Sequence, residues 1–281
     1  MRIGTRGSAL AVAQARQVAA LLGGVHELVE VMTGGDRGEH LTDKERWVRE
    51  LDAALLEGKI DCAVHSAKDV PARVPDGIVI AAVPERADPR DALCGAPSLS
   101  ELASGARVGT SSLRRGAQLR ALREDLEVLA LRGNVDTRLR RLADGDYDAI
   151  VLAAAGLQRL GRETEGAPLD ELVPAAGQGC LAVTTRAGEE QRVAALGHEP
   201  SERALAAERA LVRALEADCH TPVGAHARAL PGGRLVLRAF VGAADGSAWV
   251  RDELEGEDPE PLGAEVGARL LSAGAREVLG A

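Results

Sequence analysis

Three short polar segments of this 281-residue chain carry the residue types that chemistry needs. The first is residues 109–115, Gly-Thr-Ser-Ser-Leu-Arg-Arg, which follows an apolar stretch and opens a predicted helix. The free backbone N–H groups at a helix start bind anions, and Arg114 and Arg115 add forked hydrogen-bond donors. Most such segments are only a serine that caps a helix, followed by solvated arginines. The neighbouring sequence therefore has to distinguish an anion-binding site from an ordinary helix start.

Arginines concentrate around that first segment. Residues 105–165 contain eleven arginines and nine acidic residues, a local balance of +2 in a chain of net charge −9. Several stand where a loop meets a predicted helix, among them Arg132, Arg138 and Arg159. Ligands of open α/β sheets bind at the carboxyl ends of strands, where these junctions fall. The pattern therefore predicts a site for a small molecule with several negative charges.

The second segment, residues 64–71, follows the end of another predicted strand and contains Lys68 beside Asp69. The chain has only three lysines, and none follows Lys68. A surface charge pair worth about 0–1 kcal/mol is the alternative to a functional role, but placement at a strand end favours function. His65 is a further candidate base, although a single histidine beside a strand is more often structural.

The third segment is the loop 217–224, in which Cys219 stands beside His220. A neighbouring histidine favours the thiolate, so Cys219 is the candidate for covalent chemistry. A cysteine hydrolase using this pair is a weaker hypothesis, because adjacent residues rarely present nucleophile and base to each other. No metal site is predicted, since the six histidines form no ligand-spaced cluster around the cysteine. The other cysteines have apolar neighbours and are predicted to be buried: Cys62, Cys94 and Cys180.

Alternating strand and helix patterns around these segments predict an α/β architecture, followed from about residue 199 by a small α+β domain. Polar residues 33–46 indicate a surface loop, and residues 84–90, rich in charge and proline, a hinge. The apolar run 148–154 is typical of a parallel strand covered on both faces. The predicted strands are 2–5, 25–32, 60–64, 77–83, one that ends at Val108, 128–131, 148–154, 235–241 and 248–254, and the predicted helices include 8–22, 47–57, one that opens at residues 110–112, 137–143, 201–215 and 261–273.

Composition argues against several classes of protein. A net charge of −9 is unlike a general nucleic-acid binder, and four aromatic residues are too few for a base-stacking platform. No apolar run approaches the roughly 18 residues of a membrane helix, and the amphipathic start is unlike a signal peptide. Four cysteines without a CxxC pair indicate reduced thiols. We therefore expect a cytoplasmic protein, and nothing in the sequence indicates more than a monomer.

Seven motifs taken together resemble one known family. They are residues 5–8 (TRGS), 65–71 (HSAKDVP), 85–91 (ERADPRD), 109–115 (GTSSLRR), 131–135 (LRGNV) with Thr137 and Arg138, 175–179 (AAGQG), and Cys219 with Pro222. Their order is that of the porphobilinogen deaminase (hydroxymethylbilane synthase) family of tetrapyrrole biosynthesis. Each motif alone is a modest signal, but seven in order, from residue 2 nearly to the C-terminus, are specific.

The resemblance implies two doubly wound α/β lobes like those of type-II periplasmic binding proteins, and a small α+β C-terminal domain. The expected domains are residues 1–83 with 180–195, residues 88–173, and residues 199–281. The implied enzyme is a transferase that condenses four porphobilinogens head to tail with release of ammonia and hydrolyses off hydroxymethylbilane, a step of haem biosynthesis. It would carry a dipyrromethane cofactor joined by a thioether to Cys219.

The resemblance also implies residue roles. Asp69 is the expected catalytic residue, because its carboxylate would stabilise the positive charge on the azafulvene left when the substrate loses ammonia, and would move protons. Porphobilinogen carries an acetate and a propionate, so a growing chain needs many cationic partners. The residues expected to bind cofactor carboxylates are Lys68, Ser112, Arg114, Arg115 and Arg138, and those expected to bind substrate and growing chain are Arg6, Ser8, Ser66, Arg132, Arg159 and Gln178.

The chain departs from the family pattern in two places. The loop after Met32 is shorter than in bacterial relatives, and Asp218 and His220 flank Cys219 where glycine and glutamine are common. An alternative function is also open. Two lobes alone would suit a cytosolic sensor of anionic solutes, which needs anion-binding helix starts but neither Asp69 nor Cys219.

Overall fold

The computed structural model describes residues 1–34, 48–217 and 221–280. Most of the predicted loop 33–46, the start of the predicted helix 47–57, and Cys219 lie outside these ranges. The strands are β1 (Arg2–Thr5), β2 (Glu27–Glu30), β3 (Cys62–Ser66), β4 (Ile78–Ala82), β5 (Asp91–Cys94), β6 (Arg107–Gly109), β7 (Glu127–Leu129), β8 (Ala149–Ala153), β9 (Ala167–Leu169), β10 (Leu181–Arg186), β11 (Val223–Ala229), β12 (Leu235–Gly242) and β13 (Trp249–Gly256). The helices are α1 (Ala9–Leu22), α2 (Arg49–Leu56), α3 (Leu113–Leu122), α4 (Val135–Ala143), α5 (Ala154–Arg159), α6 (Glu199–Ala214), α7 (Pro259–Ser272) and α8 (Ala275–Val278).

The first lobe is built on a five-stranded sheet of order β2-β1-β3-β10-β4. β1 is parallel to β2 and β3, whereas β10 is antiparallel to both β3 and β4. α1 and α2 pack against this sheet, each beside a separate group of buried aliphatic side chains. Ser8 caps α1 by accepting a hydrogen bond from the amide of Ala11 (3.3 Å), so the helix begins one residue after the predicted start.

The second lobe repeats that arrangement in a sheet of order β7-β6-β8-β5-β9. β6 is parallel to β7 and β8, and β5 runs antiparallel between β8 and β9. In each sheet the antiparallel strand is the one that the chain forms on arriving from the other lobe. The two connections are the outgoing crossover (residues 83–90) and the return crossover (residues 170–180). This topology is the two-lobed fold of type-II periplasmic binding proteins that the sequence implied.

The predicted strand 148–154 corresponds to β8, which is parallel to β6 as expected but antiparallel to β5. The strand is therefore parallel to one neighbour, as predicted, and antiparallel to the other. Strands β5, β9, β10 and β11 were not predicted at all. β5 and β9 have only four and three residues, too few for a periodic pattern to appear.

The C-terminal unit is an antiparallel sheet of order β11-β12-β13 covered by α6 and α7. Its core contains Leu211, Leu237 and Val266, and alternate residues of β13 face solvent. Phe240 of this sheet packs on Ala117 of α3 and Val173 of the return crossover, which joins the C-terminal unit to the second lobe. Within the described ranges, no helix is both long and apolar enough to cross a membrane.

Candidate active site

The segment after β3 carries the predicted catalytic carboxylate. A short 3₁₀ turn, Ala67–Asp69, follows the strand directly. The amide of Ala67 donates to the carbonyl of Cys180 (3.0 Å), which ties this turn to the return crossover. Asp69 is half-buried, and within the described part of the chain no group hydrogen-bonds to its carboxylate. Its oxygens therefore remain available to accept hydrogen bonds from a ligand.

A cavity opens beside Asp69 where the two lobes meet. Its walls come from the β1–α1 junction and the turn after β3 in the first lobe, from α5 in the second, and from the return crossover. Seven of the predicted site residues line it: Arg6, Ser8, Ser66, Lys68, Asp69, Arg159 and Gln178. These residues come from four separate stretches of sequence, so the fold rather than local spacing brings them together.

Lys68 is the cation nearest to Asp69 in sequence, and it reaches across to the return crossover. Its Nζ donates to Oε1 of Gln178 (3.3 Å). Burial, helped by the nearby Arg115, lowers the pKa of Lys68 to about 8, although Asp69 and Asp91 oppose the shift. Lys68 is thus an ammonium close to its titration point, which a carboxylate ligand would stabilise.

The glycines beside Gln178 explain how the crossover reaches this position. Gly177 and Gly179 have φ values of 75° and 88°, a region that favours glycine. A Cβ at Gly177 would lie 2.9 Å from the amide nitrogen of Lys68, and one at Gly179 would lie 2.5 Å from the carbonyl oxygen of Ala87. Only glycine at these two positions lets the chain pass between the Ala67–Asp69 turn and the outgoing crossover. This passage places Gln178 in the cavity wall.

Arg114 and Arg115 lie at the start of α3, and both are buried against Asp91. Arg114 makes a forked pair with the two carboxylate oxygens (2.8 and 3.1 Å), and Nε of Arg115 donates to the same group (2.8 Å). Burial alone would raise the pKa of Asp91, but the two guanidinium groups hold it well below its usual range. Arg114 also donates to the carbonyl of Val173 (2.6 Å), and Arg115 donates to the carbonyl of Val151 (3.0 Å) and to Oε1 of Gln178 (3.5 Å).

Three other predicted residues of the second lobe stand outside the cavity wall. Ser112 caps α3 by accepting from the amide of Arg115 (3.4 Å). Arg138 is half-buried, its Nε donates to the carbonyl of Gly133 (2.7 Å), and burial together with the charge of Arg115 lowers its pKa. Arg132 is exposed. Ser112 and Arg138 thus lie close to the arginine pair, whereas Arg132 faces solvent.

Arg159 connects the lobes at the other side of the cavity. It belongs to α5 of the second lobe, and its Nε donates to Oε1 of Gln17 on α1 (3.3 Å). Its Nη2 donates to the carbonyl of Gly179 on the return crossover (2.7 Å). Burial lowers the pKa of Arg159 to about 10, and the group remains cationic at neutral pH. It therefore supplies a positive charge to the cavity that Asp69 also lines.

The other candidate reactive groups are buried away from ligands. His65 shares a hydrogen bond with Oγ1 of Thr184 (3.1 Å), and burial lowers its pKa to about 4, so it is a neutral core residue. Three cysteines are free and buried, with thiol pKa values raised by burial to about 12 for Cys62, about 11 for Cys94 and about 12 for Cys180. Cys219 lies outside the described residues.

Two residues in or next to the candidate site were not singled out from the sequence. Gln14 is buried on α1 and lines the cavity; the signal available was a polar residue on the apolar face of a helix. Asp91 ends the motif 85–91, but its partners are 23 and 24 residues further along the chain. No local pattern could have revealed that contact.

Comparison with known proteins decides between enzyme and sensor. The family model described as "Porphobilinogen deaminase, dipyromethane cofactor binding domain" matches residues 1–194, and "Porphobilinogen deaminase, C-terminal domain" matches residues 203–272. The chain belongs to the porphobilinogen deaminase family. The porphobilinogen deaminase of Rubrobacter xylanophilus is 50% identical over 99% of this chain and 96% of that protein. The one from Thermus thermophilus is 46% identical, with 99% and 97% covered.

Solved structures with a similar arrangement include a putative methionine-binding lipoprotein from Bacillus subtilis, with a TM-score of 0.42, 13% identity, and coverage of 70% of this chain and 87% of that one. Another is a periplasmic solute-binding protein from Ralstonia eutropha with bound (S)-2-acetolactate, with a TM-score of 0.40, 15% identity, and coverage of 69% and 75%.

Membership of the porphobilinogen deaminase family establishes the activity. The chain is a transferase of tetrapyrrole and haem biosynthesis that joins four porphobilinogens head to tail, releases ammonia and hydrolyses off hydroxymethylbilane. Its substrate is a small molecule, and its cofactor is a dipyrromethane. The full-length matches are to enzymes, which argues against a sensor without catalysis.

The side chains around the deaminase cavity fit such a cofactor, which carries acetate and propionate groups. Arg114 and Arg115 share one buried carboxylate, Asp91, and Lys68 and Arg138 add two further cations near Arg115. Burial, and after it repulsion from Arg115, lower the pKa of both Lys68 and Arg138. Nε of Arg114 is also buried without a hydrogen-bond partner in the described ranges. Added carboxylates would relieve the repulsion and satisfy that donor.

Proposed function

We propose that Asp69 is the catalytic residue of this deaminase and that the cavity beside it receives each incoming porphobilinogen. The observation that carries the proposal is the environment of Asp69. Its carboxylate accepts no hydrogen bond from any described residue, yet it lies among the cations Arg6, Lys68 and Arg159 in the cavity wall. A carboxylate held in this way is ready for a ligand with N–H donors, such as a pyrrole.

Asp69 acts on the substrate in two ways. As ammonia leaves the aminomethyl group, positive charge develops on the substrate and is shared by its pyrrole nitrogen. The fixed carboxylate accepts a hydrogen bond from that N–H and stabilises the charge, more strongly in a half-buried site than in water. It can also accept a proton from the ring and return it in the next cycle.

The carboxylates of the substrate need cationic and hydroxyl partners. We assign these to Arg6, Ser8, Ser66 and Arg159, which all line the cavity. Arg132 is exposed, and we assign it to the growing product, which extends out of the cavity as it lengthens. Gln178 forms part of the wall, and its amide contacts Lys68.

The cofactor site lies deeper, on the side of the second lobe. We propose that Lys68, Arg114, Arg115, Arg138 and Ser112 hold the cofactor carboxylates, and that the thiol of Cys219 forms the thioether. When bound, the dipyrromethane supplies the nucleophilic pyrrole carbon to which the first substrate is joined. The protein residues would orient the bound cofactor and exclude water from it.

We also propose the domain division and the cellular setting. The domains are residues 1–83 with 180–195, residues 88–173, and residues 199–281, in agreement with the three sheets. The enzyme acts as a cytoplasmic monomer without a nucleic-acid or membrane partner. Three buried free thiols support a reducing compartment. Light scattering should give the mass of one chain, and a dimer mass would contradict this assignment.

The substitution Asp69→Asn tests the catalytic assignment, because it keeps the shape of the side chain and removes the charge. Turnover of porphobilinogen should fall by about 10²–10⁴-fold, while the intact mass under denaturing conditions still shows an adduct of two porphobilinogens less two ammonias. The control Asp76→Asn removes an exposed carboxylate of the same region and should leave turnover unchanged.

Cys219→Ser tests the attachment site in the same experiment. The adduct should be absent from this variant and present in the wild type. An adduct that persists in Cys219→Ser would contradict the thioether, and wild-type turnover in Asp69→Asn would contradict the catalytic role.

A further inference from the structure

Asp91 is the most completely enclosed charge in the second lobe. It is the first residue of β5, directly after the outgoing crossover, and its side chain has no solvent exposure. Three side chains donate to its carboxylate: Arg114 (2.8 and 3.1 Å), Arg115 (2.8 Å) and Nε2 of Gln178 (2.9 Å). The mechanism described above uses two of these donors but leaves Asp91 itself without a role.

A negatively charged group is required at this position. Arg114 and Arg115 are only 5% and 6% exposed, and two buried guanidinium groups side by side repel each other. One carboxylate between them compensates one charge and leaves the other for a ligand. Because adjacent residues on a helix point about 100° apart, the common carboxylate also brings both side chains to one side of α3.

Gln178 extends this arrangement to the first lobe. Its Nε2 donates to Asp91 and to the carbonyl of Pro89 (2.8 Å), and its Oε1 accepts from Lys68 (3.3 Å) and Arg115 (3.5 Å). Both donor and both acceptor positions of the amide are in use. Asp91 is therefore where the outgoing crossover, the return crossover and α3 meet, and through Gln178 it contacts the lysine beside the catalytic carboxylate.

We infer that Asp91 is the positioning residue of the cofactor site: it aims Arg114 and Arg115, and through Gln178 it aims Lys68, at the cofactor carboxylates without contacting the cofactor. This inference rests on the proposed function, since it takes those three cations as cofactor ligands. The alternative is that Asp91 only neutralises the charge of the buried arginines and does not orient their side chains. The two roles predict different outcomes for the conservative variant Asp91→Glu.

The experiment follows loading of the cofactor rather than turnover. Wild type, Asp91→Glu, Asp91→Asn and Asp88→Asn are prepared without cofactor and incubated with porphobilinogen, and the adduct is followed by intact mass under denaturing conditions. Far-UV circular dichroism first establishes that each protein is folded. Asp88 is the matched control, because its carboxylate lies three residues away and pairs with Arg90 instead.

Asp91→Glu is the decisive variant, because it keeps the negative charge and displaces the carboxylate by one methylene. Loss of an orienting outer partner costs about 10–100-fold, so folded Asp91→Glu should load at least about tenfold more slowly than wild type. Asp88→Asn should load at the wild-type rate. Wild-type loading by folded Asp91→Glu would show that the charge alone matters and would overturn the inference.

If the Asp91 variants do not fold, Gln178→Met tests the inference instead, because it leaves every charge in place. It should fold and load more slowly than wild type, because Lys68 loses its link to Asp91. Unchanged loading of Gln178→Met would overturn the inference. Failure of the proposed function has a separate signature, which is that the wild type itself acquires no adduct.

Discussion

Glu208→Gln tests how the C-terminal unit is attached to the two crossovers. Glu208 lies on α6 and has no solvent exposure. Its Oε1 accepts from Arg86 (2.6 Å) and from the amide of Ala227 (2.8 Å), and its Oε2 accepts from Arg86 (3.3 Å) and from the amide of Gly177 (2.6 Å). One carboxylate thus joins the outgoing crossover, the return crossover and β11 to α6.

Glutamine replaces one of those oxygens by an amide that donates instead of accepting. A backbone N–H then loses its acceptor, and Arg86, whose side chain is 10% exposed, keeps a buried charge without a counter-ion. Breaking a buried ion pair from one side costs about 3–5 kcal/mol. We therefore expect the free energy of unfolding to fall by about 3–5 kcal/mol in Glu208→Gln.

Urea denaturation followed by far-UV circular dichroism measures this change. Glu265→Gln, on the exposed face of α7, is the control and should change the free energy of unfolding by less than about 0.5 kcal/mol. The double variant Glu208→Gln/Arg86→Met should lose less than the sum of the single variants, because the unpaired charge is gone. A loss below about 1 kcal/mol in Glu208→Gln, the range of a surface pair, would refute the reasoning.

Two further predictions concern the catalytic turn and the return crossover. Burial lowers the pKa of Lys68 to about 8, so above that pH the folded protein has released a proton that the unfolded chain still retains. The free energy of unfolding of wild type, minus that of Lys68→Met, should therefore rise between about pH 7 and about pH 10. A difference that stays constant over this range would contradict the lowered pKa. Gly179→Ala places a Cβ 2.5 Å from the carbonyl of Ala87, whereas Gly188 has nearly the same φ (87°) with no atom within 4 Å. The free energy of unfolding should thus fall by about 1–2 kcal/mol in Gly188→Ala, and by about 1–3 kcal/mol more in Gly179→Ala, in the same denaturation assay. Equal decreases in the two variants would show that the return crossover is not packed as described.

The order of elements followed from local patterns. Helix caps such as Ser8 and Ser112, and the runs of apolar residues between polar segments, placed α1, α3, β8, α6 and α7 close to their observed positions. These signals are local because capping and side-chain periodicity depend on neighbours within one or two turns. Strand-end placement likewise singled out the segments of Asp69 and Arg114 as ligand sites.

Strands β5, β9 and β10 were not predicted because the strands with which they pair are distant in sequence. β10 lies between β3 and β4, although Val64 and its partner Val183 are more than a hundred residues apart. A strand of three or four residues has little periodicity of its own, and its partners decide whether it forms. The two crossovers are likewise separated by the whole of the second lobe, and no local pattern contains their meeting at Gln178.

By itself, the sequence indicated which residues of this deaminase are candidates for the chemistry. Its motifs, their order and the arginine-rich helix starts are properties of short segments, and they were sufficient to indicate the family, the cofactor and the candidate residues. Only the tertiary structure decided which of these residues share a site and what charge each one faces. Asp91 shows the reason: burial and ion pairing arise when distant segments exclude water together, so the role of a side chain depends on contacts that its own neighbourhood does not specify.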